Sequence, residues 1–371
     1  VPVPSVGADG EQPISQTPTA SITEETTENN PPEKNYAELL RKMQRMNDPA
    51  YLPTISMNEL YENVYQSRPP VIDGLLYPGT YLFAGAPKVG KSFLMAQLAY
   101  HVSMGLPLWD YPVHKGTVLY LALEDDHRRL QERLYRMFGM DGTNDLLFSI
   151  CAKQVGNGLE EQLKRFVQEH PDTKLIIIDT LQKIREAGGD KYSYANDYEV
   201  VGKLKRLADA CGVCLLLVHH TRKQQADDKF DMISGTNGLS GAADGAFLLQ
   251  KEKRTDGTAT LDVVGRDQQD QRLYLIKDKE HLTWTLERME TELWVEPPDP
   301  VAAFITAERP SWGGTATELA AALQVDMKPN ALAMRLNVRA GKLATDYHIR
   351  YENTRTHAGR SISLTLDPPQ A

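Results

Sequence analysis

The sequence predicts an α/β domain built on a parallel sheet, followed by a small unit of helices and a β-hairpin. Between residues 71 and 244, short runs of Val, Ile and Leu alternate with amphipathic helical segments. Continuous apolar strands are typical of a parallel sheet covered on both faces, and the alternation favours right-handed crossovers. A Pro-rich linker at 297–300 then separates this domain from residues 301–371.

The predicted elements of the α/β domain follow one another in a regular order. Strands are expected at 81–84, 117–123, 174–178 and 213–218, and helices at 92–104, 126–138 and 197–210. After Asp244, three strands at 246–249, 259–264 and 273–276 are joined by short Gly/Asp turns, which predicts a β-hairpin extension of the sheet. We therefore expect the domain to cover residues 70–296.

Two further segments precede this domain. Residues 1–34 are rich in Pro, Thr, Ser and Glu and hold almost no large apolar side chains. Because such a segment cannot bury enough surface to offset its ordering entropy, we expect a disordered acidic tail. Residues 35–69 form a helical segment in this interpretation, with short helices at 35–48 and 57–66.

Composition limits the function classes that are compatible with the chain. Its 371 residues carry a formal net charge of −9, so any contact with nucleic acid requires local basic patches. No run approaches the roughly 18 consecutive apolar residues of a membrane helix. The three cysteines suit a reducing compartment, and Cys214 within an apolar run is expected in the core rather than at a zinc site. We expect a cytoplasmic protein with no membrane contact.

A glycine-rich loop of the form G-x-x-x-x-G-K-[ST] follows the first strand and opens a helix. It consists of Gly85, Ala86, Pro87, Lys88, Val89, Gly90, Lys91 and Ser92, and Phe93 is counted with it as nucleotide-binding. Its glycines let backbone N–H groups turn towards phosphates at the positive end of the helix. Lys91 is expected to reach the β- and γ-phosphates and Ser92 to bind Mg²⁺. The motif predicts ATP and Mg²⁺ as cofactors, whereas a loop that only caps the helix is the alternative.

Acidic residues follow two of the predicted strands. Asp179 ends an apolar strand and is expected to hold Mg²⁺ through a water. Because Thr180 rather than Glu follows it, the group that orients the attacking water must come from another strand. Glu124 at the end of a neighbouring strand is the first choice for this base and Asp125 the second. The acidic cluster at 124–126 would alternatively cap the next helix.

A histidine pair ends the fourth predicted strand at the same edge of the sheet. There His220 is expected to sense the γ-phosphate and to pass its loss to the next loop. The alternative is a pair of solvated loop histidines.

These features resemble the RecA/DnaB class of P-loop ATPases. Three stretches are more specifically similar to RepA-type plasmid helicases: FAGAPKVGKS at 83–92, YLALEDD at 120–126 and GTNGLSGAAD at 235–244. The similarity covers residues 70–290. It implies a RecA-like P-loop NTPase with a parallel twisted sheet flanked by helices, assembled as a homo-oligomer, commonly a hexamer, with the nucleotide between subunits.

The resemblance also implies roles for basic residues. The loop at 221–241 matches the second pore loop of the class, and its Arg222, Lys223 and Lys229 would contact phosphates of single-stranded DNA. A mobile, solvated loop is the alternative. An arginine finger acting in trans is expected in such rings. Arg266 is our choice, followed by Lys251, Lys253 and Arg254, and the alternative is an exposed turn arginine.

Residues 301–371 predict a small winged helix-turn-helix domain. Helices are expected at 303–307, 316–323 and 330–340, and strands at 347–351 and 361–366. Eight Lys/Arg stand against six Asp/Glu, a local charge of +2. Duplex DNA is one expected partner, and docking to another protein is the alternative. The DNA-contacting residues would be Arg335 and Arg339 on the recognition helix and Arg355 and Arg360 on the wing.

The predicted function is an ATP-driven DNA motor of the RepA type that acts in replication of a mobile element. One alternative is a DNA-dependent ATPase that loads or remodels a replication or recombination complex without unwinding. The other is an ATP-gated DNA-binding regulator.

Overall fold

The structure of the protein is a computed structural model. It describes residues 48–65, 68–185, 194–221, 229–233, 237–253, 255–266, 268–291, 299–356 and 359–367. The tail predicted at 1–34 and nearly all of the helix predicted at 35–48 lie outside these residues. Helix α1, Met57–Glu62, ends before the predicted residue 66, and the reciprocal hydrogen bonds of Ser56 and Glu59 form a capping box at its start.

A nine-stranded sheet forms the centre of the fold. Its strands are β1 Gly79–Gly85, β2 Thr117–Ala122, β3 Leu146–Ser149, β4 Thr173–Asp179, β5 Cys214–His220, β6 Gly245–Gln250, β7 Thr258–Gly265, β8 Gln271–Lys277 and β9 Trp284–Thr291. Their order across the sheet is β3-β2-β4-β5-β1-β6-β7-β8-β9. The first six strands are parallel, whereas β7, β8 and β9 are each antiparallel to the preceding strand.

Helices cover both faces of the parallel strands, so the predicted α/β class is confirmed. They are α2 Lys91–Met104, α3 His127–Phe138, α4 Leu159–Glu169, α5 Tyr194–Cys211 and α6 Asn237–Ala242. Strand β1 shows why both faces are apolar. Tyr81 and Phe83 pack into the core that contains α2, while Leu82 and Ala84 pack into the core that contains α5. Cys214 is buried, as predicted.

Four elements of this domain were not predicted: β3, α4, β9 and the short helix α6, which overlaps the loop predicted at 221–241. Strand β3 has four half-buried residues at the edge of the sheet, and α4 buries only Leu159 and Leu163. Strand β9 is mostly exposed and charged beyond Trp284. Each of these three therefore has too weak an apolar pattern to be recognised in the sequence. Strand β6, predicted as part of the extension, also pairs in parallel with β1.

The antiparallel extension returns to support the glycine-rich loop. Trp284 at the start of β9 is fully buried and exchanges two hydrogen bonds with the Gln97 side chain of α2, at 2.7 and 2.8 Å. Gly90 has a φ of 112°, and a Cβ built there would lie 2.9 Å from the Trp284 ring. The loop therefore needs glycine at this position for both its backbone conformation and its packing.

Residues 299–367 contain a second, smaller sheet with its own core. The elements are α7 Pro300–Phe304, β10 Ser311–Thr315, α8 Ala316–Leu323, α9 Pro329–Tyr347, β11 Ile349–Thr356 and β12 Gly359–Leu366. The sheet is antiparallel with order β10-β12-β11. Leu319, Leu336 and Ile362 lie at the centre of its apolar core. Strand β10 was not predicted because Ser-Trp-Gly-Gly-Thr has almost no apolar alternation, and α9 continues seven residues beyond the predicted end at 340.

A buried ion pair ties the start of this small unit to its longest helix. Asp299 accepts a hydrogen bond from the Val301 N–H at the beginning of α7, at 2.9 Å. Its other carboxylate oxygen lies 2.8 Å from Arg339 Nε on α9. The Asp299 side chain is only 3% exposed. The Arg339 guanidinium therefore faces the interior of the unit.

Replacing Asp299 with Ala should lower the free energy of unfolding by about 3 kcal/mol, because it uncaps α7 and removes the carboxylate that faces Arg339. The matched control is Arg350→Ala, which breaks an exposed 2.8 Å pair with Asp367 and should cost less than about 1 kcal/mol. Urea unfolding followed by circular dichroism measures both values. Equal losses in the two variants would contradict this role of Asp299.

Candidate active site

The functional residues predicted from the sequence meet where four parallel strands end. The strand register pairs Ala122 of β2 with Asp179 of β4, and Gly85 of β1 with His220 of β5. Glu124 follows β2 by two residues. The ends of β1, β2, β4 and β5 therefore bring the glycine-rich loop, two carboxylates and an imidazole to one edge of the sheet.

The glycine-rich loop is shaped to bind an anion with its backbone. A Cβ at Gly85 would lie 2.7 Å from the Leu249 carbonyl, so only glycine fits there. Lys88 has a φ of 66°, and Ala86, Pro87 and Lys88 are exposed at the tip of the loop. Helix α2 begins at Lys91 after Gly90, with no side-chain cap. Its first N–H groups are thus directed into the loop, where helix termini bind phosphate.

Lys91 is the buried cation at the centre of the site. Its ammonium donates to the carbonyls of Gly85 and Ala86, at 2.7 and 3.1 Å, and lies 3.2 Å from His220 Nδ1. Burial lowers the pKa of Lys91 to about 8, while the charges of Asp179 and Glu124 act in the opposite direction. Its positive charge is thus held beside the backbone N–H groups that form the anion site.

Asp179 is buried at the end of β4, and two hydroxyl groups contact it. Tyr120 Oη donates to Asp179 Oδ2 at 2.9 Å, and the Ser92 side chain is also hydrogen-bonded to this carboxylate. Burial raises the pKa of Asp179, whereas these two hydrogen bonds stabilise its charged form. The pKa of Tyr120 is raised well above its usual value by burial and by Asp179, so the phenol remains a donor.

Tyr120 has a place in the site that the sequence did not reveal. It lies in the middle of β2 and is fully buried. The sequence does show a tyrosine within an apolar strand. Since a buried phenol usually requires a hydrogen-bond partner, this tyrosine was a hint of a polar contact in the core. The pattern alone does not identify Asp179 as that partner.

The structure separates the three neighbouring acids by their contacts. Asp126 caps α3 by accepting the Arg129 N–H at 2.8 Å. Asp125 forms a bidentate ion pair with Arg133, at 2.7 and 3.2 Å. Glu124 is exposed and accepts a hydrogen bond from the Thr180 hydroxyl at 3.2 Å, next to Asp179. Capping thus accounts for Asp126, while Glu124 has the position expected of a base.

The side-chain oxygen atoms at this site are suited to Mg²⁺. They are too few for a metal ion that is coordinated by protein side chains alone. Ser92 and Asp179 offer adjacent oxygen atoms. Mg²⁺ typically takes one or two such ligands and completes its shell with phosphates and water. Within the described part of the chain, no cluster of three His, Cys, Asp or Glu residues could hold a metal ion.

A second group of side chains lies at the same edge, of which Lys277, Arg133 and Trp284 were not recognised from the sequence. Since β8 runs parallel to β1, Lys277 at its end lies on the phosphate side of the sheet. Its ammonium is 4.2 Å from the centre of the Phe93 ring, and the Arg133 guanidinium is 5.2 Å from the same ring. Lys251 lies 5.3 Å from the Trp284 ring. Lys277 and Lys251 therefore lie with aromatic rings on the side of the loop away from Asp179, whereas Arg133 also pairs with Asp125 after β2.

Arg266 lies at the opposite edge of the sheet. Gly265 pairs with Gly245, which pairs with Tyr81 near the start of β1. Tyr81 precedes Gly85 by four residues, about 13 Å along a strand. The Arg266 side chain is 60% exposed. Arg266 is thus directed away from the loop of its own chain.

The predicted DNA contacts are placed in different surroundings. Lys229 Nζ lies 3.5 Å from Asp262 on β7, Arg335 is half-buried on α9, and Arg339 pairs with Asp299. Arg222 and Lys223 lie outside the described residues. Arg355 and Arg360 occupy paired positions on β11 and β12, and their side chains are outside the described part of the chain.

A family model described as an AAA domain matches residues 47–226, a little under half of the chain. No curated protein matches the sequence. Three solved structures are similar at a distance. The first is described as an ATPase domain, and it has a TM-score of 0.49 and 15% identity, over 69% of this chain and 99% of that one.

The second is a DnaB-like replicative helicase, at TM-score 0.48 and 16% identity, over 67% of this chain and 71% of that one. The third is a KaiC-like protein from Pyrococcus horikoshii OT3. It has a TM-score of 0.42 and 16% identity, and the match covers 61% of this chain and 99% of that one. No conclusion about this chain rests on these three. No helix among the described residues is long and apolar enough to cross a membrane.

Nucleotide binding should depend on pH through Lys91. The ammonium is charged below its pKa of about 8, and a bound triphosphate should keep it charged above that value. At about pH 9 roughly nine-tenths of Lys91 is neutral before binding, so the Kd of Mg-ATP should be about tenfold higher than at about pH 7. Binding should then take up nearly one proton. Calorimetric titration in two buffers of different ionisation enthalpy measures both quantities, and a constant Kd without proton uptake would contradict the assignment.

Proposed function

We propose that this chain hydrolyses Mg-ATP and uses the reaction to act on DNA as a homo-oligomeric motor of the RecA/DnaB class. The observation that carries the proposal is the meeting of Lys91, Ser92, Asp179 and Glu124 at one edge of the sheet. The match of residues 47–226 to an AAA domain, which includes all four residues, supports it.

The loop and Lys91 bind the triphosphate. On binding, Lys91 exchanges its bonds to the Gly85 and Ala86 carbonyls for bonds to phosphate oxygens, and the first N–H groups of α2 add their partial positive charge. Ser92 and Asp179 would hold Mg²⁺, which would supply positive charge to offset that of the phosphates. Because the acids lie on the β4 side of the loop, the terminal phosphate faces that side. The nucleoside then lies towards Phe93 and Lys277.

Glu124 orients and deprotonates the attacking water. Its exposed carboxylate accepts the Thr180 hydroxyl, which fixes its direction beside Asp179. The water oxygen attacks the γ-phosphorus, its proton passes to Glu124, and the bond to the β-phosphate oxygen breaks. Lys91 stabilises the charge that develops on the leaving ADP. The burial of His220 and its contact with Lys91 lower the pKa of His220, so a neutral imidazole sits where loss of the phosphate alters its surroundings.

Hydrolysis in this arrangement involves a second copy of the chain. Arg266 is expected to reach the nucleotide of a neighbour, because it lies at the sheet edge opposite its own loop. Closing such contacts into a ring, a hexamer by the resemblance, brings the loops at 221–241 to the centre. Arg222, Lys223 and Lys229 would contact single-stranded DNA there.

The order of α7–α9 and the hairpin β11–β12 is compatible with a winged helix that binds duplex DNA through Arg335, Arg355 and Arg360. Arg339, which was expected to join them, is instead used by its ion pair with Asp299. We therefore leave it out of the proposed DNA surface.

Replacing Glu124 with Gln should lower kcat by at least about 100-fold and leave the Kd of Mg-ATP within about threefold, because only the base is lost. The matched control is Asp125→Asn, which removes the neighbouring acid and its pair with Arg133. This control should retain kcat within about threefold while losing stability. Steady-state turnover and equilibrium binding separate the two effects. Comparable losses of kcat in both variants would remove Glu124 as the base.

Two measurements test the motor: strand separation of a forked DNA duplex, and the mass of the native particle. Wild-type protein should separate the strands with ATP, Lys91→Ala should not, and the particle should be an oligomer with an ATP analogue and single-stranded DNA. DNA-stimulated hydrolysis without strand separation would instead favour the loading or remodelling ATPase. ATP-gated binding of one DNA sequence with negligible turnover would favour the regulator. A monomer under all conditions would contradict the ring.

A further inference from the structure

Asp244 is a nearly buried carboxylate at the sheet edge opposite the nucleotide loop. Its side chain is 11% exposed and lies between α6 and β6. Lys205 of α5 contacts both carboxylate oxygens, and the Thr80 N–H donates to Oδ2 at 3.0 Å. Gly79 leaves room for it, because a Cβ there would lie 2.9 Å from Oδ2. Asp244 is thus fixed from both β1 and α5.

Arg266 is held against this carboxylate by its backbone and its side chain. The Arg266 N–H donates to the Asp244 carbonyl at 2.9 Å, and Arg266 Nη1 lies 3.8 Å from Asp244 Oδ1. Its Nη2 lies 3.5 Å from the carbonyl of Gly241, in the last turn of α6. Within the part of the chain that the structure describes, these contacts of Arg266 come from residues 241–244.

This arrangement favours one location for an exposed arginine, through a backbone hydrogen bond at 2.9 Å and longer side-chain contacts at 3.5 and 3.8 Å. A long side chain that is 60% exposed would otherwise sample several rotamers. Lys205 is the nearer cation to the Asp244 carboxylate and contacts both of its oxygens, while the Arg266 guanidinium lies 3.8 Å away. Reactions that depend on one guanidinium are sensitive to its position, and a displacement of about 1 Å can cost about 100-fold in rate.

We propose that Asp244 is a positioning residue that holds Arg266 for action on the nucleotide of a neighbouring copy. The inference rests on the proposed function, since it requires ATP hydrolysis between subunits. It also joins Arg266 to the end of α6, the helix that closes the loop at 221–241.

A mixing experiment distinguishes this role from a structural one. Subunits with Lys91→Ala keep Arg266 but lack a working loop, whereas subunits with Arg266→Ala keep the loop, so mixed rings should recover turnover at interfaces where each supplies its intact part. Adding Asp244→Asn to the Lys91→Ala subunit should lower that turnover about tenfold, because the donated arginine is misplaced. Adding it to the Arg266→Ala subunit should leave turnover within about twofold.

Each outcome decides the proposal. Equal loss with Asp244→Asn on either subunit would show a general structural role and overturn it, as would no loss on either. Failure of the first mixture to recover turnover would overturn it too, because Arg266 would then not act between subunits. ATP hydrolysis by the wild-type protein would leave the proposed ATPase function standing in that case. The control is Lys203→Ala on the helix that also carries Lys205. It breaks a 2.9 Å surface pair with Glu199 on that helix and should have no effect on either subunit.

Discussion

The burial of the Lys91 ammonium is the constraint on which the rest of the site depends. A charged amine is costly to remove from water unless partners replace its hydration. Here the carbonyls of Gly85 and Ala86 and the imidazole of His220 provide those partners. The loop around this ammonium needs glycine at 85, where a Cβ would lie 2.7 Å from the Leu249 carbonyl, and at 90, where it would lie 2.9 Å from the Trp284 ring.

The same constraint explains the support around the loop. Trp284 fills the space beneath Gly90 and is itself fixed by Gln97, so the last strand of the sheet stabilises the conformation of its first loop. On the other side, Tyr120 and Ser92 hold Asp179 in place. The cation and the anion are thus positioned by separate parts of the fold before any ligand binds, which reduces the cost of organising the site for the reaction.

The proposed catalytic groups lie at opposite ends of the parallel strands. Lys91, Asp179 and Glu124 lie where the parallel strands end, while Arg266 lies with Asp244 where β1 and β6 begin. One copy of the chain cannot bring these two groups together, because the strands themselves separate them. The proposal that Arg266 acts on the nucleotide of a neighbouring copy rests on this separation.

The sequence predicted most of the site because its residues follow strongly apolar strands. The glycine-rich loop and Asp179 could be placed from β1 and β4, whose burial on both faces makes their patterns continuous. Strands β3, β9 and β10 lie at sheet edges, and half-exposed edge strands have no such pattern. The choice between Glu124 and Asp125 depended on Arg133, two helical turns away, which spacing alone does not reveal. Arg339 shows the same limit, because its partner Asp299 precedes it by forty residues and local periodicity does not identify such a pair.

The central claim is that Lys91 binds the phosphates of a nucleotide within the glycine-rich loop. The most direct measurement is calorimetric titration of Mg-ATP into wild-type protein and into Lys91→Ala at neutral pH, with thermal unfolding to verify the fold of each. The account predicts one nucleotide per chain for the wild type and an affinity at least about 100-fold weaker for the variant, since a charged hydrogen-bonding partner of the phosphates is lost. Equal affinities in two well-folded proteins would contradict it.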